Sequence, residues 1–406
     1  VPDWRRSYTL DPARVISLVG MEIGEGEQVR ILEALGFEPR KTAETWDVAV
    51  PSWRPDVQGE ADLVEEIARV ASLTRLQAQP LPRPAAGVAR PTLSPMQARE
   101  SRARRQLSAL GLNECVTYSF VAEAAARAFG GGAEAVRLEN PISSEMSHLR
   151  PDLLPGLLAA AARNQARGFG DLGLFEIGPV FHGGEPDEQA PHATALRVGH
   201  TAPRHWSGTR RPVDLHDAKA DAEALLSALG VDTGRLMVAR EAPAWFHPGR
   251  SAVLKLGPKN PLAVFGELHP RALEAMAMKG PAVAAIVMLA NPPMPRAKGT
   301  ARPALAASDL QAVERDFAFV VEEGVEAGAV LRAATGADRR LIEQAEIFDV
   351  FSGPRAVEQF GEGRKSIAVT VRLQPQEQTL TEPEIEAVAG RIVAAVEKAT
   401  GGTLRR

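Results

Sequence analysis

Hydrophobic residues recur at helical or strand spacing along most of the chain, and two proline-rich stretches interrupt this pattern. In the first block, residues 26–35 have the periodicity of a short amphipathic helix, which Gly36 ends. Residues 46–50 alternate like a strand and stop at a proline. From Asp62 onwards, apolar residues at i, i+4 and i+7 form the core stripe of a second helix. The first block is therefore predicted to mix helices with short strands.

The middle block begins with a helix. Ser94 is a suitable N-cap, a proline follows it, and Gly111 ends the helical pattern. Strands are predicted at residues 115–120 and 173–181, and a helix at residues 153–166 lies between them. The block is thus predicted to combine both types of element.

The last block has the order β-α-β-β-α, with room for a final short strand. This order fits a ferredoxin-like α+β sandwich. Thr381 and Glu384 have the spacing of a capping box, which predicts a last helix that runs to Lys398. The elements before that helix are predicted at residues 313–321 (strand), 325–334 (helix), 347–351 (strand) and 366–373 (strand).

The two proline-rich stretches read as linkers, because they are polar and lack periodicity. They leave three blocks, each of ordinary domain size. Domains are therefore predicted at residues 1–80, 92–290 and 309–406, with linkers at 81–91 and 291–308.

Composition narrows the class of protein. The 47 Lys and Arg residues face 51 Asp and Glu residues, and the net charge of −4 excludes a histone-like polycation and a disordered acidic tail. A single cysteine, Cys115, excludes a disulfide framework and a cysteine-based zinc site. No apolar run is long enough to predict a membrane-spanning helix. We therefore expect a multidomain cytosolic protein, and the missing initiator Met suggests a piece of a longer chain.

An acidic run after the first predicted strand is the most informative motif. Three of its carboxylates share one face of the helix, and the fourth arrives from the preceding loop. Such oxygen ligands suit Mg²⁺. The spacing alone favours a structural interpretation, because Asp62 and Glu65 resemble a capping box and acids stabilise a first helical turn. Arginines flank the run without entering it, so a divalent ion is one source of counter-charge. The four carboxylates are Asp56, Asp62, Glu65 and Glu66.

The helix predicted at residues 94–111 carries four arginines, offset by one acid, Glu100. It could contact phosphate, but a solvated or partner-facing helix is the more common case. Its apolar stripe also needs a cover. The arginines are Arg99, Arg102, Arg104 and Arg105.

The last block has 12 basic and 17 acidic residues, a net charge of −5, so electrostatics alone does not nominate it for RNA binding. Two basic pairs could still form a positive rim, which would make RNA affinity fall with salt. Solvated charges at a turn are the equally weighted alternative. The pairs are Arg364 with Lys365, at a strand start, and Arg405 with Arg406, at the end of the chain.

Catalytic motifs do not emerge from the sequence. The eight histidines of the middle block lack zinc-site spacing, and no nucleophile elbow or P-loop (G-x-x-x-x-G-K-[ST]) motif is present. No catalytic residue is therefore assigned to this chain.

Motifs in all three blocks occur together in one family. Residues 50–56 and 62–69 resemble the B5 domain of the bacterial phenylalanyl-tRNA synthetase β subunit. The last block is similar to the ferredoxin-fold anticodon-binding domain through residues 314–320, 348–351, 365–366 and 378–381. The middle block resembles that subunit's class II synthetase-like core through residues 139–146, 149–158, 174–178, 214–219, 246–250 and 266–270.

The resemblance implies an α+β multidomain chain within an (αβ)₂ heterotetramer that attaches phenylalanine to tRNA(Phe) using ATP. In this family the α subunit binds ATP and phenylalanine, and the β core is a degenerate copy of the catalytic fold. The sequence agrees, because residues 264–270 lack the class II motif 3 pattern, and Arg150 and Glu176 echo motif 2 without its spacing. The family's N-terminal OB-fold and editing domains are not in this sequence, which therefore looks like a C-terminal half.

The resemblance also implies two sites. The helix at 94–111 corresponds to an interface helix of class II enzymes, in which Arg99, Arg102 and Arg105 could pair with partner acids. A Mg²⁺ site shared with the α subunit is expected at Asp56, Asp62, Glu65 and Glu66.

Three functions are compatible with these observations. The first is a non-catalytic subunit of a tRNA ligase, which needs an α partner. The second is a detached tRNA-binding or regulatory module. The third, a self-sufficient class II ligase, lacks the motif 3 arginine.

Overall fold

The structure, a computed structural model, describes residues 3–82, 92–294, 304–305 and 307–405. The chain forms two compact units, Val1–Pro292 and Pro293–Arg406. The first unit contains both the first and the second predicted domain, so the boundary at residues 80–92 stays a prediction. Within the described residues, no helix combines the length and the apolarity needed to cross a membrane.

The N-terminal part of the first unit is a small three-stranded antiparallel sheet packed against helices. The strand order is β1-β3-β2. Leu10, Val48, Leu63 and Ile67 meet in its core, so the predicted apolar stripe of the second helix is buried at Leu63 and Ile67. Its third predicted member, Val70, is exposed. The elements are β1 (Ser7–Leu10), α1 (Ala13–Val19), α2 (Glu25–Ala34), β2 (Glu38–Lys41), β3 (Trp46–Ala49) and α3 (Glu60–Ala71).

The central part is built on a seven-stranded sheet. The order is β4-β7-β8-β12-β11-β10-β9, and every pair is antiparallel except β4 with β7. The elements are α4 (Pro95–Ala109), β4 (Asn113–Glu114), β5 (Phe120–Val121), α5 (Glu123–Ala128), β6 (His148–Leu149), α6 (Leu154–Ala166), β7 (Leu172–Phe181), β8 (Gln189–Val198), α7 (Leu215–Ala228), β9 (Met237–Ala239), β10 (Phe246–Lys255), β11 (Pro261–Leu268), α8 (Pro270–Ala275) and β12 (Ala282–Met288).

Two apolar cores form around this sheet, because alternate residues of its strands point to opposite faces. Ala103 and Leu107 of α4 join one core together with residues of α7. Leu154 and Leu157 of α6 belong to the other. The helix α4 begins as predicted, since Ser94 and Gln97 form a reciprocal capping box.

The strand predicted at residues 115–120 is only partly formed. The structure has β4 before it and β5 at its end, and the intervening residues are outside regular strands. The reason is visible at Thr117, whose backbone N–H donates to a side-chain oxygen of Glu176 and not to a neighbouring strand. A side-chain acceptor therefore replaces the ladder there.

The second unit is a four-stranded antiparallel sheet in the order β14-β15-β13-β16, which confirms the ferredoxin-like α+β prediction. Phe319, Ile367 and Val369 form its core with residues of two helices, Val330 of α9 and Val388 of α11. The short helix α10 is an addition that the sequence pattern did not predict. The elements are β13 (Val313–Glu322), α9 (Ala327–Gly336), β14 (Ile342–Phe351), α10 (Pro354–Phe360), β15 (Arg364–Leu373), α11 (Glu382–Thr400) and β16 (Thr403–Leu404).

Candidate metal and tRNA-binding sites

The acidic run lies where the chain enters α3. Gly59 is the N-cap of this helix, and it makes no side-chain cap bond. Asp62 accepts a hydrogen bond from the backbone N–H of Gln58, at 2.7 Å. The helix thus begins two residues before Asp62, and this carboxylate satisfies a backbone donor just ahead of the helix. The capping box predicted from Asp62 and Glu65 is therefore wrong, because Gly59 is the N-cap and Asp62 lies in the first turn of the helix.

Arg54 links two of the other carboxylates. Its Nη2 lies 2.6 Å from Oδ2 of Asp56, and its Nη1 lies 2.6 Å from Oε2 of Glu66. Arg69 adds a second guanidinium on Glu66, with Nη2 at 2.7 Å from Oε2. Glu66 is buried, and the hydrogen bonds from Arg54 and then Arg69 lower its pKa to about 2. The Arg54 guanidinium likewise holds the pKa of the exposed Asp56 below its ordinary value.

The four predicted ligands are therefore close along the chain but engaged differently. Asp56 and Glu66 share Arg54, Asp62 is bound to backbone, and Glu65 is exposed on α3. Carboxylate oxygens have the right chemistry for Mg²⁺. Their arrangement does not fit the ion in the chain by itself, because in the described ranges no three His, Cys, Asp or Glu side chains form a group able to hold a metal.

The basic residues of the second unit lie on opposite faces of its sheet. Side chains alternate along β15, and Ile367 and Val369 face the core, so Lys365 points to the helix side and Arg364 to the other. Lys365 donates from Nζ to the carbonyl of Glu323 at 2.8 Å. Arg405 lies over the ring of Phe360, with Cζ 5.3 Å from the ring centre. Arg406 lies outside the described residues.

The sheet face that carries Arg364 is partly covered by a helix, and acidic side chains on it pair with a second arginine. Helix α10 packs on β15, and Ser366 and Ala368 of that face are buried. Farther along, Arg372 is held by Glu314 and Glu343, which raise the pKa of its guanidinium. A free basic surface on this face is thus confined to its rim.

The arginines of α4 divide into buried and exposed groups. Arg99 is buried and donates from Nη1 to the carbonyl of Leu289 at 2.6 Å, so it serves the chain's own fold. Arg104 forms an ion pair with Glu114. Arg102 and Arg105 are exposed, and Arg105 bonds to Ser101 within the helix. These two remain the candidates for an interface, whereas Arg99 is not available to a partner.

A buried polar network lies beside β7, and sequence spacing did not reveal it. Arg150 and Glu176 form an ion pair of 2.6 Å with side chains only 3% and 4% exposed. Thr117 donates from Oγ1 to the same carboxylate at 2.7 Å. The guanidinium occupies the space above Gly178, where an added Cβ would lie 2.5 Å from Nη2 of Arg150.

Asp152 extends this polar region to the start of α6. Its carboxylate accepts a hydrogen bond from the backbone N–H of Leu154 at 2.8 Å. Burial raises its pKa to about 7. Arg150 and Asp152 belong to the sequence motif at residues 149–158. Only the fold shows that both of their side chains are buried.

Comparison with known proteins decides the family. Residues 80–289 match the phenylalanyl tRNA synthetase beta chain CLM domain. The chain belongs to this family. Residues 8–72 match the tRNA synthetase B5 domain, and residues 308–405 match the ferredoxin-fold anticodon binding domain, so the resemblance expected from the motifs is confirmed in all three regions.

Relatives in the family match over the full length of the chain. It is 64% identical over 405 residues to the phenylalanine–tRNA ligase beta subunit of Cereibacter sphaeroides and 60% identical to that of Ruegeria pomeroyi. Each match covers 100% of this chain and 50% of the relative, so the chain spans about half the length of these curated relatives. A solved pyrrolysyl tRNA synthetase from Desulfitobacterium hafniense overlaps 47% of the chain and 65% of its own, at 17% identity and a TM-score of 0.37, which is too low to support a conclusion.

Proposed function

We propose that this chain acts as a non-catalytic β-subunit portion of phenylalanine–tRNA ligase, a class II aminoacyl-tRNA synthetase, in the cytoplasm. It would hold an α subunit that binds ATP and phenylalanine, within an (αβ)₂ heterotetramer, and would contribute to binding tRNA(Phe). The observation that carries the proposal is the match at 64% identity, along the whole chain, to a protein named as that subunit. The alternative of a detached tRNA-binding or regulatory module is not favoured by these names.

The central part supports the non-catalytic role. In a site that binds a nucleotide, charged groups beside the sheet must be available to the ligand. Here Arg150 and Glu176 neutralise each other in a buried pair, and Thr117 adds a further hydrogen bond. A ligand phosphate that recruited Arg150 would have to break this pair and leave the buried carboxylate of Glu176 without it, which is strongly unfavourable.

The second unit supports contact with tRNA. Its sheet and helices have the architecture of the anticodon-binding domain that it matches. Arg364, Lys365, Arg405 and Arg406 are the residues that we assign to phosphate contact. Arg364 lies at the rim of the sheet, away from the acid-balanced middle around Arg372, which is where a phosphate could approach.

A shared Mg²⁺ is part of the proposal. Asp56, Asp62, Glu65 and Glu66 would hold the ion together with groups from the α subunit, and the role of the ion would be structural. Its support is the hard oxygen character of four neighbouring carboxylates and their match to the family's ligand positions. In the chain by itself Arg54 supplies the counter-charge, so metal binding would require Arg54 to leave Asp56 and Glu66. The exposed Glu65 is the ligand that needs no such exchange.

Co-expression with an α subunit tests the proposed function. We expect the tagged 406-residue chain to retain the α subunit through size-exclusion chromatography, and the complex to charge tRNA(Phe) with phenylalanine. An unrelated class II synthetase subunit serves as the negative control for retention. Failure to form any complex with the α subunit of the same source would refute the ligase-subunit role and would leave the detached module.

A further inference from the structure

One surface loop of the central part combines basic and aromatic residues in a way that the proposed function does not use. The loop covers residues 200–212, between β8 and α7, and is called the Trp206 loop below. It contains three arginines, two histidines and one tryptophan, and no Asp or Glu, although the whole chain has a net charge of −4. Its tip carries Arg204, His205 and Trp206, all exposed.

The base of the Trp206 loop is firmly held. The backbone N–H of Thr201 donates to the carbonyl of Arg211 at 3.0 Å, and His200 and Pro212 form an antiparallel bridge. Arg210 bonds to Asp171 at 3.0 Å. Arg211 makes two bonds of 2.7 Å to Asp217, which lies in the first turn of α7. The loop therefore projects from the fold as a braced hairpin.

The tip is oriented by its own short contacts. The hydroxyl of Ser207 lies 2.9 Å from Nδ1 of His205, and the backbone N–H of Ser207 donates to the same atom at 3.2 Å. The ring of His205 lies 5.6 Å from that of Trp206. The indole of Trp206 remains 92% exposed. The exposed indole therefore offers a large flat apolar face, and covering it with a ligand would be favourable.

We propose that the Trp206 loop binds an unpaired nucleotide of RNA, whose base stacks on Trp206 while Arg204 contacts the adjoining phosphate. Aromatic side chains stack on unpaired bases of any sequence, and Arg supplies the charge for the backbone. Arg210 and Arg211 pair with Asp171 and Asp217 at the base, so the charge at the tip comes from the exposed Arg204, which suits a phosphate group. The inference takes the identity of the RNA, a tRNA, from the proposed function, but the contact rests on the loop alone.

Binding of RNA to the 406-residue chain tests the proposal. The probe is a short fluorescein-labelled oligouridylate, whose binding is followed by fluorescence anisotropy. A blunt RNA duplex of the same length, which has no unpaired base, is the control. Trp206→Ala should weaken oligouridylate binding roughly fivefold or more, the effect of losing one stacked base, and should leave duplex binding nearly unchanged. Trp206→Phe should keep most of the affinity, because a phenyl ring still stacks, and should remove part of the RNA-induced quenching of tryptophan fluorescence.

Arg204→Gln separates the phosphate contact from the stack. It should lower the slope of log affinity against log salt by about 0.7, the value for one phosphate contact on a single strand. Tyr118→Ala is the matched control, since Tyr118 is an aromatic residue of the same region, 70% exposed, without basic neighbours along the sequence.

Three outcomes would overturn the contact. They are no oligouridylate binding by the parent chain, equal losses for Trp206→Ala and Tyr118→Ala, or unchanged RNA binding by Trp206→Ala, which would assign the ring to a protein partner. The proposed function is tested separately, by whether the chain retains the α subunit through size-exclusion chromatography. A chain that binds oligouridylate through Trp206 without retaining an α subunit would keep this inference and reject that role.

Discussion

At the scale of single residues, Asp152 is placed where burial favours its protonated form. Its pKa of about 7 in the fold lies well above the ordinary value of 3.8. A group whose pKa is raised by folding contributes its full stabilisation below the unfolded value. That contribution is lost as the pH rises through the folded value, and the free energy of unfolding falls by about 1.4 kcal/mol per pH unit between the two pKa values. The pH window is therefore about 4 to 7.

Replacing Asp152 by Asn should remove this dependence. The amide oxygen can still accept the hydrogen bond from Leu154, and no charge forms at high pH. We expect the variant to unfold at a higher temperature than the parent at about pH 8, and the difference to shrink as the pH falls towards about 4. Scanning calorimetry at several pH values measures it. The exposed Asp187→Asn is the control, and an equal shift in both variants would contradict the assignment.

Glu65 allows the metal proposal to be tested without disturbing the fold. A substitution of Glu66 is not a suitable test, because losing this side chain would leave Arg54 and Arg69 without their shared carboxylate. Glu65→Gln removes one exposed charge, and it should abolish the Mg²⁺ dependence of α-subunit association. The dissociation constant, measured by calorimetry with Mg²⁺ and with a chelator, gives the result.

Glu44→Gln is the matched control for Glu65, since Glu44 is an exposed glutamate between β2 and β3. If association with the α subunit shows the same Mg²⁺ dependence in the parent and in Glu65→Gln, the carboxylates serve only the ion pairs and the backbone bond seen in the structure.

At the scale of elements, α4 presents two exposed arginines that the fold does not use for its core. Arg102 and Arg105 are on the surface, and the buried Arg99 fixes the helix to Leu289. Reversing both charges, with Arg102→Glu and Arg105→Glu, should raise the dissociation constant for the α subunit several-fold. The main effect should be slower association at low salt, since rim charges act on encounter.

Surface plasmon resonance measures both rates for the α4 variants. Arg127→Glu with Arg137→Glu is a matched double reversal, because both arginines are exposed and pair with glutamates of their own segment. Equal association rates for parent and α4 variant would remove this helix from the interface.

The rim of the second unit is tested in the same way. Arg364→Ala with Lys365→Ala should lower the affinity of the assembled enzyme for tRNA and flatten its salt dependence, because phosphate contacts release counterions. Filter binding across a salt series measures both quantities. As a control, Arg332→Ala with Lys398→Ala removes two exposed charges from the helices α9 and α11, outside the strand start that carries Arg364 and Lys365. Identical isotherms for rim variant and parent would mean that Arg364 and Lys365 are solvated charges.

At the scale of the whole molecule, the chain by itself should show no ATP–pyrophosphate exchange. Arg150 and Glu176, which echo motif 2, are held by each other in a buried pair and are not available to a nucleotide. Exchange should appear only when the α subunit is present. Robust exchange by the purified chain, with no α subunit detected by mass spectrometry, would contradict the non-catalytic assignment.

Sequence patterns predicted the order of elements in the second unit because its strands alternate cleanly and Thr381 with Glu384 marks the last helix. They missed α10, whose seven residues bury only Ala356 and so give no apolar stripe. The sequence spacing predicted that the four carboxylates lie near one another. It could not show that Arg54 forms ion pairs with two of them. Side-chain direction in the loop before α3 depends on tertiary packing. The pair of Arg150 and Glu176 is separated by 26 positions, beyond any local pattern.

The same pair constrains how this part of the fold can change over evolutionary time. Replacing one partner leaves the other as an unpaired buried charge and lowers the free energy of unfolding by about 3–5 kcal/mol. Replacing both by apolar residues of similar volume leaves that free energy nearly unchanged. Because single substitutions arise one after another, each route to the apolar state passes through a destabilised intermediate that selection removes. Arg150 and Glu176 are therefore expected to persist in descendants of this chain, and contact with a substrate is not needed to explain it. Their retention, taken alone, would be a record of folding stability and not of catalysis.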